Sequence, residues 1–155
     1  MGAIIFRRIP TRVIILVTAV MLFGGLELAG LLIDSTDEAE LDMFRNAPVI
    51  LFLGVGIIVY ILEAMLFTVI PIELSHKFTR TSWFGAMIGI ILYGPLYHGS
   101  DGLLSILISS WIILVLNSSY IILRLQSRQV AIISTTGFKI LFIFYAAFSI
   151  YSEVS

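Results

Sequence analysis

The sequence predicts an all-α bundle of five membrane-spanning helices, with the N-terminus in the cytoplasm and the C-terminus outside. Three observations carry that expectation: an apolar composition, five apolar segments of roughly bilayer length, and an alternation of basic residues between the two sides. Of 155 residues, 59% are hydrophobic and 12% are charged. Mean hydropathy is +1.09. A small soluble domain has too much surface to hide that much apolar material, so the expected solvent is lipid. A net charge of -1 and a pI near 6.1 give no basic footprint for nucleic acid. The absence of cysteine excludes disulfides, thiolate metal sites and a cysteine nucleophile. One membrane domain over residues 1–155 accounts for the whole chain.

A bilayer core about 30 Å thick takes roughly 20 apolar residues of helix. The first span is expected over about 11–33. Its basic-then-apolar start, "MGAIIFRRIPTRVIILVTAVMLFGG", has the order of a signal peptide. The apolar run is too long for that, and Glu27 interrupts the small-residue pattern around Ala29, so an uncleaved anchor is expected. The second span covers about 48–70, with Asn46 as its N-cap and Pro48 beside it. The third, about 83–97, is short; the fourth and fifth cover about 103–123 and 130–151.

The connecting charges set the orientation. Arg7, Arg8, Arg12, Lys77, Arg80, Arg124 and Arg128 fall on one side, seven of the nine Lys and Arg. Arg45 falls on the other, in an acidic loop over 34–45 that reads as solvated, and Lys139 lies inside a span. The basic side is expected to be cytoplasmic.

Small residues mark helix contacts. Gly85 and Gly89 form a GxxxG in the third span, expected to pack within the chain rather than to form a dimer seam. Ser105 and Ser109 repeat the small-xxx-small spacing in the fourth span. Ala131 and Thr135 do so in the fifth and place Lys139 on a face that should look into protein.

Charged groups at membrane depth are costly and usually pair. Glu27 lies close enough to an edge to reach the interface, and His98 closes a span. Glu63 is deepest, in the otherwise apolar run "VYILEAMLF", about 12 Å of helix from Pro71. Lys139 lies at similar depth, about 15 Å from the cytoplasmic end. The pair Glu63–Lys139 is therefore a candidate buried ion pair, with a protonated Glu63 as the other way to lower the cost. Asn117 and Thr135 add further intramembrane polar groups. Pro71 leaves two readings. Either it ends the second helix, or the helix runs on to a turn near Thr79–Ser82, and Glu63 and His98 are then level in an antiparallel hairpin.

That pairing resembles the CAAX-protease and bacteriocin-processing intramembrane protease family, whose motifs are Glu-Glu-x-x-Phe-Arg, aromatic-x-x-x-His and His-x-x-x-Asn. "EAMLFT" is similar to the first through Glu63 and Phe67, with Ala64 and Thr68 departing. "YGPLYH" is similar to the second, although Tyr93 stands one residue too far from His98. At the third, Thr135 stands for the His and Lys139 for the Asn. The resemblance covers roughly 60–140 and implies an intramembrane hydrolase using Glu63 and His98, in a degenerate form poorly equipped to activate water.

The leading functional expectation is non-catalytic: a packing, assembly or regulatory subunit held by another membrane protein. The hydrolase is one alternative, and a proton or ion pathway through Glu27, Glu63 and Lys139 is the other. The expected setting is the cytoplasmic membrane or an organelle equivalent. The expected partners are the lipid bilayer and a second membrane protein. No metal set or nucleic-acid partner is expected, and no cofactor can be read from these residues.

Overall fold

A computed structural model describes residues 9–30 and 49–154. Arg7, Arg8, the acidic stretch 34–45 and the expected cap Asn46 lie outside the described residues. The described residues are helical apart from short turns, without strands. Helix α1 is Thr11–Gly30. Helix α2, Val49–Ala64, runs through a π-helical turn, Met65–Val69, into α3, Ile70–Thr79. Helix α4, Ser82–Ile91, ends in a second π-helical turn, Leu92–Tyr97. Helix α5 is Leu103–Arg124 and α6 is Arg128–Val154. The stretches Leu53–Thr79 and Leu103–Arg124 are long and apolar enough to cross a membrane.

Pro71 does not end the second helix, which continues to Thr79. A proline inside a helix has no N–H for the carbonyl four residues earlier, here Phe67, and its ring crowds that carbonyl. The wider π-helical turn lies at this point and takes up the misfit. The helix ends at Arg80, which adopts a left-handed conformation (φ 57°) and donates its N–H to the His76 carbonyl at 3.1 Å. Ser75 Oγ bonds the Thr81 carbonyl at 2.5 Å and Thr79 Oγ1 bonds the Ser75 carbonyl at 2.8 Å, fixing the turn into α4.

Glycines set the closeness of that hairpin. A Cβ on Gly85 would collide with the Pro71 carbonyl, and one on Gly89 with the Phe67 carbonyl. The GxxxG face therefore meets the chain's own helix. Gly94 likewise lies against Ser110 and the Ile106 carbonyl, bringing the second π-helical turn onto α5. Neighbouring Ser109 is buried and turns its hydroxyl back to the Ser105 carbonyl at 2.6 Å.

Helix α5 is the centre of the bundle, packing against α1, α4 and α6, while α2 packs on α6. Far more of α5 is buried than of α2–α3. Two apolar clusters are stacked along the bundle. One gathers Ile14, Val69, Ile72, Tyr120 and Leu123, and the other Leu22, Tyr93, Ile113, Leu116 and Phe138. The exterior is also apolar. Leu16, Ile58, Phe78, Phe84, Leu107 and Ile133 are exposed, so each of the six helices turns large apolar side chains outward.

Candidate functional site

Glu63 is the last residue but one of α2 and faces inward, 8% exposed. Lys139 faces inward from α6, 1% exposed, on the strip that also carries the buried Ala131 and Thr135. Lys139 Nζ lies 2.8 Å from Glu63 Oε2. Tyr93, in the second π-helical turn, is the third member. Its hydroxyl donates to Glu63 Oε2 at 3.1 Å and accepts from Lys139 Nζ at 3.0 Å. The ammonium also sits 4.3 Å from the Tyr93 ring centroid and 5.5 Å from that of Tyr60. A cation over an aromatic face gains about 0.5–2 kcal/mol, the larger figure where water is excluded. The three side chains thus join α2, α6 and the turn after α4 through one charge-assisted network.

The partner level with Glu63 is Tyr93, not His98. Pro71 faces Gly85, Phe67 faces Gly89 and Glu63 faces Tyr93. Each step moves four residues along both helices, so His98 lies five residues further on. The close Gly85–Pro71 approach sets this register, and counting from the turn alone does not reveal it. His98 packs edge-on against the rings of Tyr93 and Tyr97, with centroids 4.9 Å away in both cases.

The remaining sequence-predicted residues separate. Glu27, exposed on α1, accepts the Tyr145 hydroxyl of α6 at 2.5 Å and does not join the Glu63 network. Asn117 is fully buried on α5 and donates from Nδ2 to the Ala86 carbonyl of α4 at 2.9 Å. Thr135 is buried one turn before Lys139.

A second ionic group lies near the other end of the interior and was not anticipated. Glu73 of α3 accepts from Tyr120 OH at 2.8 Å and from Arg124 Nε at 2.6 Å, and lies 3.4 Å from Arg128 Nε. The sequence signal for it was an acid beyond Pro71 facing two arginines at the α5–α6 turn. Gln126, in the same turn, holds the start of α1 by donating to the Ile9 carbonyl at 2.7 Å. Thr11 adds a bond to its Oε1 at 2.5 Å. Arg12, Lys77, Arg80, Arg124 and Arg128 thus all belong to helix ends that meet at one end of the bundle.

Compared with protein-family models, with curated proteins and with solved structures, the chain matches none.

Proposed function

We propose that this chain is a small five-span membrane protein that works without catalysis, as a packing, assembly or regulatory subunit of a larger membrane complex. One observation carries the non-catalytic reading: the deepest carboxylate, Glu63, is engaged by the Lys139 ammonium and the Tyr93 hydroxyl. A hydrolase of the kind the sequence resembles would use that carboxylate to activate water. Here the position that would supply a second histidine is Thr135, and the position of the asparagine is the lysine that binds Glu63.

The apolar exterior favours a lipid setting, since water-soluble monomers seldom expose contiguous apolar patches beyond a few hundred Å². The basic end fits the cytoplasmic face. That face belongs to the cytoplasmic membrane or its organelle equivalent.

Purification from native membranes in mild detergent tests the reading. A membrane protein that co-purifies in fixed ratio, and is lost when the bundle surface is altered, supports the subunit. A monodisperse chain that cleaves a peptide, and stops when Glu63 is changed to Gln, overturns it in favour of the hydrolase.

A further inference from the structure

The two ionic groups lie on one interior line. Glu63 and Glu73 are ten residues apart on the continuous α2–α3 helix, about 15 Å if the rise were regular. Hydrogen bonds run from Lys139 through Tyr93 and Glu63 at one end and from Tyr120 through Glu73 to Arg124 at the other. At levels between them Thr68, Asn117 and Thr135 are buried, with Thr136 next to Thr135.

Three of those four carry a buried oxygen with no hydrogen-bond partner: Thr68 Oγ1, Asn117 Oδ1 and Thr136 Oγ1. Thr68 and Asn117 are 0% exposed. Thr68 stands midway between the two glutamates. Asn117 is three residues before Tyr120 on α5, and Thr136 is three before Lys139 on α6, spacings that place each pair on one helix face. Counted from the basic end, Asn117 and Thr136 are seven and eight residues up their helices and Thr68 is eleven up its own. The Asn117 carboxamide and the Phe67 carbonyl crowd the same bare side of Gly89, so α5 meets the π-helical turn here. Buried polar atoms are nearly always satisfied by protein or by ordered water. A polar site with several such atoms and room for a water is where ordered water binds. The break in the hydrogen-bonded line thus coincides with the atoms that call for water.

We propose that this interior line carries protons between the two ends of the bundle, with water held by Thr68, Asn117 and Thr136 joining the two ionic groups. The Glu63–Lys139 pair supplies the step at the end away from the basic residues. A proton arriving from the Tyr93 side neutralises the Glu63 carboxylate: Tyr93 gives Glu63 its hydroxyl proton and takes one from the outer side. Lys139, still an ammonium, then gives one proton to the water at Thr136 and becomes an amine. That proton moves on through the water toward Tyr120 and Glu73. The Glu63 acid finally returns its proton to the Lys139 amine. One proton has crossed, and both residues regain their starting charges. The intermediate with acid and amine is uncharged, which suits a low-dielectric interior. The path is passive, and its direction follows the gradient.

The proposal rests on the membrane reading, and the test separates the two. The purified chain is reconstituted into vesicles holding a trapped pH-sensitive dye, and a potassium gradient with valinomycin sets the potential. Proton entry several-fold above protein-free vesicles is expected. The Thr68→Val, Asn117→Leu double variant should fall to the protein-free rate. Thr68→Ser, which keeps the hydroxyl, should keep the flux and shows that the position tolerates change. Wild-type protein that inserts but passes no more protons than empty vesicles overturns the relay alone. So does a folded double variant that conducts as the wild type does. A chain that carbonate strips from the vesicles overturns the membrane reading itself.

Discussion

Removing the Glu63 charge while Lys139 remains would leave an ammonium buried without its counter-charge. Breaking one side of a buried pair costs about 3–5 kcal/mol, whereas replacing both sides by neutral groups is often nearly harmless. Glu63→Gln should therefore lower the thermal unfolding midpoint in detergent, and adding Lys139→Met should restore most of the loss. A double variant no more stable than the sum of the singles predicts would show that the two are not coupled. Tyr93→Phe keeps the ring over the ammonium and removes the hydroxyl shared by both charges. It should cost about 1.5–3 kcal/mol, the range for a hydrogen bond to a charged group. A silent Tyr93→Phe would remove the tyrosine from the network. The two charges were legible in the sequence because each stands in an apolar run and their depths match. Tyr93 was not, because which residue lies level with Glu63 depends on where Gly85 meets Pro71. Glu73 was missed for a related reason: with Pro71 undecided, it read equally well as a loop residue.

At the scale of the helix, four of the five apolar segments match helices to within a few residues wherever the described chain covers them. The second is the instructive departure. Its apolar character fades after Ile70, and Pro71 suggests a stop, yet the helix gains nine further residues to Thr79. A π-helical turn is a response to the missing proline N–H and to packing on α4, and no hydropathy pattern encodes it. The glycines of GAMIG give this contact a direct check. Gly85→Leu and Gly89→Leu would each drive a side chain into backbone of the α2–α3 helix, and overpacking of this kind costs about 1–3 kcal/mol or more. Both should shift the protein from a single species to aggregates in detergent size-exclusion chromatography. Gly24 is the matched control, because nothing lies within 4 Å of a Cβ built there. Gly24→Leu should elute as the wild type does. Equal behaviour of all three variants would place the GxxxG face against lipid instead.

On the scale of the whole molecule, the order of charges is what gives the bundle a direction. Thr11 and Gln126 bring the start of α1 to the α5–α6 turn, and Glu73 brings the end of α3 to the same place through Arg124 and Arg128. Of the described cations, all but Lys139 thus collect at one end, while Glu27 and Tyr145 join α1 to α6 nearer the other. If that basic end faces the cytoplasm, an odd number of spans must leave the two termini on opposite sides. A reporter fused after Ser155 should then read as outside, and one inserted between Lys77 and Arg80 as inside. The weak point is the third span. From Ser82 to Tyr97 it has sixteen residues, part of them in a π-helical turn, and at about 1.5 Å each they reach roughly 24 Å, short of a hydrocarbon core of about 30 Å. To cross, it must draw His98 to Asp101 toward the headgroups, thin the local bilayer or shelter against α5, which packs along it. A C-terminal reporter that reads as inside would mean that α4 enters and leaves by the same face.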